Sequence, residues 1–249
     1  MGPPCIMRSA RGGMFWALFM HLSTISHEEA TGRMVRITAM ALVGLAISMG
    51  APYCPIASAQ EVLPCGDVFR NAYGPFDYRT ASADNKYLVE GVHFTSDIEN
   101  FRKNGKASFV ANDIDYTLRV FPNHPRALMA LSKLSLQLKS MRPPGTQWTV
   151  DCYFQRAIRY RADDSAVRLV YGIHLTRWGK KDAARQQLDM AEKAPVEDGN
   201  FHYNLGLAFL DVGEADRALK HAKRAYALGY QLPGLRNRLE KLGKWRDGE

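Results

Sequence analysis

The chain has 249 residues, of which 46% are hydrophobic and 23% charged, so its composition is that of a globular protein and excludes a disordered or fibrous chain. Its formal net charge is +8. Because basic and acidic residues alternate along the chain instead of forming a run, we interpret this charge as a solvated basic surface and expect no nucleic-acid binding.

The first 59 residues differ from the rest and have the pattern of an export signal. Met34 begins a short basic segment, and residues 37–51 are almost uninterrupted apolar sequence. Ala57 and Ala59 then give the small-x-small end of a cleavage site. We expect residues 1–59 to be an upstream extension followed by a signal peptide, with translation starting at Met34. The mature protein is then exported, to the periplasm or outside the cell.

A membrane-spanning helix is the alternative interpretation of the same apolar run. The run is shorter than the roughly 20 residues needed to cross a bilayer. Pro52 and Pro55 also interrupt its end. We therefore expect no membrane span in the mature chain.

Residues 60–94, the N-terminal segment, show no repeat. Aromatic and turn-forming residues are frequent in residues 71–79, which indicates an ordered, mostly irregular segment packed on the first helices. A flexible tail or a peptide-like arm is the alternative. Cys65 in this segment and Cys152 form an even pair in an exported protein, which predicts one disulfide, with two separate thiols as the alternative.

Residues 95–124 have the pattern of a shortened helical hairpin. Its first helix is expected over residues 95–103, with Thr95 or Ser96 as the N-cap. Its second helix is expected over residues 108–122.

Small residues recur at one interval in the second half of the chain. Ala157, Ala191 and Ala225 are each 34 residues from the next. A fixed period of this length is typical of stacked helical hairpins, each of which buries its apolar face against its neighbours. The sequence thus predicts an all-α fold, an α-solenoid of antiparallel helix pairs. Gly206 and Ala218 are expected where two helices approach most closely.

One of these hairpins, residues 199–232, resembles the tetratricopeptide repeat (TPR). The residues that match the family's pattern are Asn204, Leu205, Gly206, Ala208, Phe209, Gly213, Ala218, Ala225 and Leu228. His202 and Tyr230 depart from it, since the family usually has a large aromatic residue and a proline there. Together with residues 125–164 and 165–198, the resemblance implies three TPR units over residues 125–232, and residues 71–79 and 115–128 are similar to those of exported bacterial TPR proteins.

Residues 233–249 are expected to form a C-terminal cap, with its helix over residues 233–245. Leu235, Leu239 and Leu242 would form its buried stripe, and basic residues would keep its outer face in water. Terminal units of a repeat array need such a polar outer face.

Residues that could carry chemistry are few. Asp113, Asp115 and His124 are of residue types that can bind a metal. The two aspartates, however, lie two residues apart on a predicted helix and point to different faces, so we expect capping or surface roles. No His-x-x-x-His, Cys-x-x-Cys or Gly-x-Ser-x-Gly pattern is present. We therefore expect that the chain is not an enzyme and that it binds no cofactor and no metal.

The resemblance implies a concave groove, lined by the first helix of each unit, that holds an extended peptide or a partner helix. The family's groove positions fall on Arg126, Met129, Lys133, Leu169, Ile173, Arg177, Tyr203, Asn204, Leu207 and Asp211. The basic members would meet acidic groups. In the alternative, some of the apolar members pack against the N-terminal segment, which would fill the groove itself.

These features indicate a non-enzymatic scaffold of the bacterial cell envelope that binds a protein or peptide. Two alternatives remain open. The arrays could associate with one another into an oligomer or filament. The chain could instead be a small-ligand-binding enzyme accessory, with a pocket formed by the long turn around Trp148 and the aromatic residues of 71–79.

Overall fold

A computed structural model describes residues 65–102 and 107–246 of the chain. These residues form ten α-helices and contain no strand, which confirms the predicted all-α class for the described ranges. The helices are α1 (Ala83–His93), α2 (Ser96–Glu99), α3 (Ala107–Val120), α4 (Pro125–Gln137), α5 (Val150–Tyr160), α6 (Ser165–Arg177), α7 (Lys181–Glu192), α8 (Gly199–Asp211), α9 (Ala215–Ala227) and α10 (Gly234–Lys241).

The predicted upstream extension and signal peptide lie outside the described residues. Within the described ranges, the helices are too short or too polar for any of them to cross a bilayer.

Helices α8 and α9 form an antiparallel pair whose closest approach is at small residues. Gly199, which begins α8, lies beside the carbonyl oxygen of Ala225 near the end of α9. Farther along α8, a Cβ placed on Gly206 would lie 3.2 Å from the carbonyl oxygen of Ala218 and 2.6 Å from Cδ2 of Leu235. The predicted contact between Gly206 and Ala218 is therefore confirmed, and a larger side chain at position 206 would push the helices apart.

Helices α6 and α7 repeat this arrangement one unit earlier. A Cβ on Gly172 would lie 2.5 Å from Cδ2 of Leu188 and 3.4 Å from the carbonyl oxygen of Ala184. Helix α6 also contacts α4 on one side and α8 on the other, so the first helices of the three pairs lie side by side in one layer.

The N-terminal segment is less irregular than the sequence predicts, because its described part contains helix α1. Ser82 caps this helix by accepting a hydrogen bond from the amide of Asn85. Val89, the buried residue of α1, packs against Val120 and Phe121 at the end of α3. The first helix of the partial hairpin is the four-residue α2, with Thr95 as its N-cap, so α1 and α2 together cover α3.

The long turn between α4 and α5 folds back onto α3. A carboxylate oxygen of Asp115 accepts hydrogen bonds from the amide of Gln147, at 3.1 Å, and from the hydroxyl of Tyr153. Thr146 donates to the carbonyl oxygen of Pro143 at 2.8 Å. The capping or surface role expected for Asp115 is wrong, because Asp115 lies within α3, is 2% exposed and anchors this turn with its carboxylate.

The first described residue, Cys65, is joined to helix α5 by a disulfide. Cys65 and Cys152 form a disulfide across a sequence separation of 87 residues, with their Cα atoms 5.2 Å apart. One turn further along α5, the buried guanidinium of Arg156 donates to the carbonyl oxygen of Cys65 at 2.9 Å and stacks 4.0 Å over the ring of Trp148.

The C-terminal helix is shorter than predicted. Leu235 and Leu239 of α10 are fully buried, but Leu242 is 59% exposed, so the expected three-leucine stripe is wrong at its third member. The helix stops at Lys241, and Gly243 follows with a φ of 66°, a left-handed conformation that glycine adopts without strain.

Candidate functional site

A cavity of about 610 Å³ lies along the first helices of the three pairs. Its apolar lining includes Met129 of α4, Leu169 and Ile173 of α6, and Phe201 of α8. Since each of the three neighbouring helices contributes to one cavity, its shape depends on how the helix pairs pack together.

Four further lining residues lie near the start of the described chain. Tyr78, Arg79 and Lys86 belong to the N-terminal segment, and Glu99 ends α2. The sequence pattern assigned Arg79, Lys86 and Glu99 to no site, and it placed Tyr78 only in the alternative pocket with the long turn around Trp148. The richness of residues 71–79 in aromatic and turn-forming residues was the signal that could have pointed to them.

Six of the ten predicted groove residues line the cavity: Arg126, Met129, Lys133, Leu169, Ile173 and Asn204. Arg177 lies next to it, since its Nη1 is 3.7 Å from Sδ of Met129, a lining residue.

The remaining three predicted residues lie on α8 and are engaged elsewhere. Tyr203 is buried, with its ring 4.6 Å from that of Tyr230. Leu207 packs against the C-terminal core, and Asp211 forms a 2.7 Å ion pair with Arg238 of α10. The capping helix α10 packs against α8, so this end of the helix layer is not part of the cavity.

A partly buried polar cluster holds the N-terminal segment beside the cavity. It consists of Asp77, Asn123 and Asp164, which are buried, and of Arg79 and Arg161, which are more exposed, and we call it the Asn123 cluster. The Asn123 side chain accepts from the amide of Tyr78 at 2.9 Å and donates to Asp77 at 2.7 Å and to Asp164 at 2.8 Å. The Arg79 guanidinium, helped by Asn123 and Arg161, holds the pKa of the Asp77 carboxyl well below its ordinary value despite partial burial.

Helix α4 begins beside this cluster at His124, which caps the helix with its imidazole. Nδ1 accepts from the amide of Ala127 at 3.3 Å, so Nε2 carries the proton and donates to Glu90 at 2.9 Å. Burial lowers the pKa of His124, although Glu90 opposes the shift. The neutral ring stacks on Tyr78 at 3.9 Å and fixes that side chain at the edge of the cavity.

The carboxylates at the cavity are engaged in the structure. Asp164 and Asp198 cap α6 and α8 by accepting hydrogen bonds from their first amides. Glu99 binds the guanidinium of Arg126, with one contact of 3.0 Å. In contrast, no carboxylate of the described residues lies within ion-pair distance of Lys133, which is exposed at the cavity. The free charge that the described lining presents to an incoming group is therefore positive.

Trp148 does not line this cavity. Its indole stacks with Arg156 at 4.0 Å and lies 5.5 Å from the ring of Tyr153. Tyr73 and Phe76 pack in a separate cluster around Val89. The alternative pocket between the long turn and the aromatic residues of 71–79 is not formed by the described residues, because Trp148 packs on Arg156 whereas Tyr73 and Phe76 pack around Val89 and Tyr78 lines the cavity.

A second polar cluster joins helices α7, α8 and α9. His221 Nε2 lies 3.1 Å from Glu192, and the Nδ1 atoms of His221 and His202 are 3.0 Å apart. Burial lowers the pKa of His221 to about 4. Burial raises the pKa of Glu192, but hydrogen bonds from Arg217 and Lys220 outweigh it and lower this pKa to about 2. The described residues contain no group of three or more potential ligand side chains placed to hold a metal ion.

We expect the free energy of unfolding to decrease as the pH falls from 6.5 toward 4. His221 in the unfolded chain takes up a proton near pH 6.5, whereas the folded protein resists protonation down to about pH 4, so the unfolded state binds more protons in this window. Between pH 7 and pH 5 the loss at this residue is about 2 kcal/mol. Urea unfolding at several pH values measures it. The His221→Gln variant should show a smaller loss, and a variant as pH-dependent as the wild type would contradict the assignment.

Comparisons with known proteins do not assign the chain to a family. No family model matches the chain, and no curated protein matches its sequence. Among solved structures, the chain is similar to one titled MamA MSR-1 C2, with a TM-score of 0.34 and 15% identity over 61% of this chain and 82% of that one. A TM-score at this level does not establish a shared fold.

Proposed function

We propose that this chain is a non-enzymatic scaffold of the bacterial cell envelope, folded as a TPR-like α-solenoid, that binds another protein or an extended peptide in the cavity along α4, α6 and α8. The single observation that carries the proposal is that one cavity of about 610 Å³ is lined by three successive first helices. The 34-residue recurrence of small residues supports the TPR-like assignment, and the pattern of residues 34–59 supports export.

The lining suits a peptide with apolar and polar parts. Met129, Leu169 and Ile173 supply apolar surface for buried side chains. Asn200 and Asn204 supply amides for hydrogen bonds, and Asn204 is already oriented by donating to Asn200 at 2.9 Å. Binding cavities of a few hundred cubic ångströms commonly combine an apolar surface with a few placed polar groups. Lys133 adds positive charge, so we infer that the bound segment carries an acidic side chain near its apolar one.

Substitution at the cavity is expected to weaken partner binding by at least tenfold, or about 1.4 kcal/mol. The test variant is Met129→Glu/Lys133→Glu, which places two negative charges in the cavity. The matched control is Met190→Glu/Lys193→Glu. Met190 lies on α7 and Lys193 is the C-cap of that helix, and both are exposed and outside the cavity lining.

The measurement is quantitative retention of envelope proteins on immobilised wild type and both variants, followed by titration of the retained protein. The proposal predicts that the control variant retains the partner as the wild type does and that the cavity variant loses it. Equal retention by all three proteins would contradict binding in the cavity.

A further inference from the structure

Helix α1 presents an apolar stripe that the described residues do not cover. Tyr87, Leu88 and Val92 are 82%, 58% and 57% exposed. With Asp84 and Gly91 they occupy positions i, i+3, i+4, i+7 and i+8, which is the spacing of one helix face. Helix α1 packs on α3 through Val89, on its other side, so this stripe faces away from the core.

Gly91 makes this stripe unusual among the helical segments of the described ranges. Glycine weakens a helix interior relative to alanine, so its presence needs a reason. At Gly172 and Gly206 the reason is visible, since a Cβ there would lie 2.5 Å from Leu188 and 2.6 Å from Leu235. A Cβ on Gly91 would meet no described atom within 4 Å. By the same packing logic, Gly91 is an open slot for a side chain from another helix.

We propose that α1 pairs with α1 of a second copy of this chain, antiparallel about a twofold axis, with Tyr87 of each copy packed over Gly91 of the other. Tyr87 and Gly91 are one helical turn apart, so an axis passing between them forms both contacts at once. A twofold interface is self-complementary in this way: one large residue and one slot on the same face serve both partners.

The other end of the described chain explains why the partner is an identical α1 face. Helix α10 buries Leu235 and Leu239, and it leaves charged residues, Arg238, Glu240 and Lys241, exposed. This end also exposes Leu232 and Leu242, at 55% and 59%, but it offers Tyr87 no open position. A Cβ on Gly234, the glycine of α10, would lie 2.7 Å from the hydroxyl of Tyr203, so that position is already filled, whereas a second α1 provides an open Gly91. A head-to-tail contact would also desolvate the exposed charges of α10.

The size of the stripe sets the strength of the dimer. An 11-residue helix face covers less than the roughly 800 Å² per partner of a standard stable interface. The dimer is therefore weak, with a dissociation constant on the order of micromolar. The stripe residues do not line the cavity, so this proposal stands independently of the proposed function.

The first experiment is sedimentation velocity of the full chain over about a hundredfold range of concentration around micromolar. The measurements are made in a Cys5→Ser/Cys54→Ser background, which keeps the Cys65–Cys152 disulfide and removes the other two cysteines. The protein with the wild-type α1 residues should be monomeric at the lowest concentrations and dimeric at the highest. The Gly91→Leu variant should weaken the dimer at least tenfold without a lower melting temperature, because leucine fills the slot and is also a better helix former. A wild-type surface that stays monomeric, or a Gly91→Leu variant that dimerises equally well, would overturn the proposal.

The second experiment uses cysteine cross-linking to distinguish the twofold pair of α1 helices from a head-to-tail array. In the same background, Leu88→Cys should form a covalent dimer with itself, since residue 88 lies near the proposed axis. Leu242→Cys, 59% exposed beyond α10, is the matched control and should not. Cross-links between the two variants when mixed would indicate a head-to-tail array and overturn the twofold model. A Tyr87→Lys variant with lowered stability and unchanged mass would show that the chain covers the stripe itself, which would also overturn it.

Discussion

Removing the disulfide between Cys65 and Cys152 is expected to lower the free energy of unfolding by about 4 kcal/mol. The bond closes a loop across a sequence separation of 87 residues, so its loss gives the unfolded chain much more conformational freedom. The folded chain also loses order locally, because Arg156 and Arg159 donate to the carbonyl oxygens of Cys65 and Gly66 only while residues 65–66 are held against α5.

The measurement is urea unfolding of Cys65→Ser/Cys152→Ser against the parent protein, both in the Cys5→Ser/Cys54→Ser background. Treatment of the parent with a reductant is the control, since it breaks the same bond without changing a residue. Both should unfold at clearly lower denaturant concentration than the oxidised parent. If all three unfolded at the same concentration, the bond would have no role in stability.

Replacing Asn123 by alanine is expected to lower the free energy of unfolding by about 3 kcal/mol. Its side chain is fully buried and bonds to Asp77, Asp164 and the amide of Tyr78. Alanine removes all three hydrogen bonds and leaves two buried carboxylates with fewer donors, which costs more than the bonds themselves contribute.

Asn237→Ala on α10 is the matched control for Asn123→Ala, because that side chain is exposed. Its free energy of unfolding should stay within about 0.5 kcal/mol of the wild type. Partner binding gives a second readout, since the Asn123 cluster positions Tyr78 and Arg79 beside the cavity. An Asn123→Ala variant as stable as the control would show that the cluster does not hold the N-terminal segment.

The repeated helix pairs were predictable because their signal is local. Small residues at a fixed period, with leucines and phenylalanines at helical spacing around them, predict one helix pair in each of residues 125–164, 165–198 and 199–232, and the structure has α4 to α9 there. Helix α1 was missed since it buries Val89 and exposes most of its apolar residues, which leaves a weak pattern. The end of α10 was misplaced because Leu242 continues the leucine spacing after the helix has stopped.

The site was only partly predictable. The residues on α4 and α6 follow from the resemblance, and five of these six line the cavity, with Arg177 beside it. Tyr203, Leu207 and Asp211 do not line it, because the packing of α10 on α8 is a tertiary contact that the repeat pattern does not encode. The contribution of Tyr78 and Arg79 also depends on contacts distant in sequence, such as the 2.8 Å ion pair of Arg79 with Asp163.

The central claim, that a partner binds in the cavity along α4, α6 and α8, is tested most directly by photocross-linking in the intact cell. A photoreactive amino acid is placed at position 129, on the cavity, or at position 190, on the surface of α7 outside the cavity lining. The account predicts a partner adduct from position 129 that is absent from position 190. Adducts of equal yield from both positions, or an adduct from position 190 alone, would contradict it.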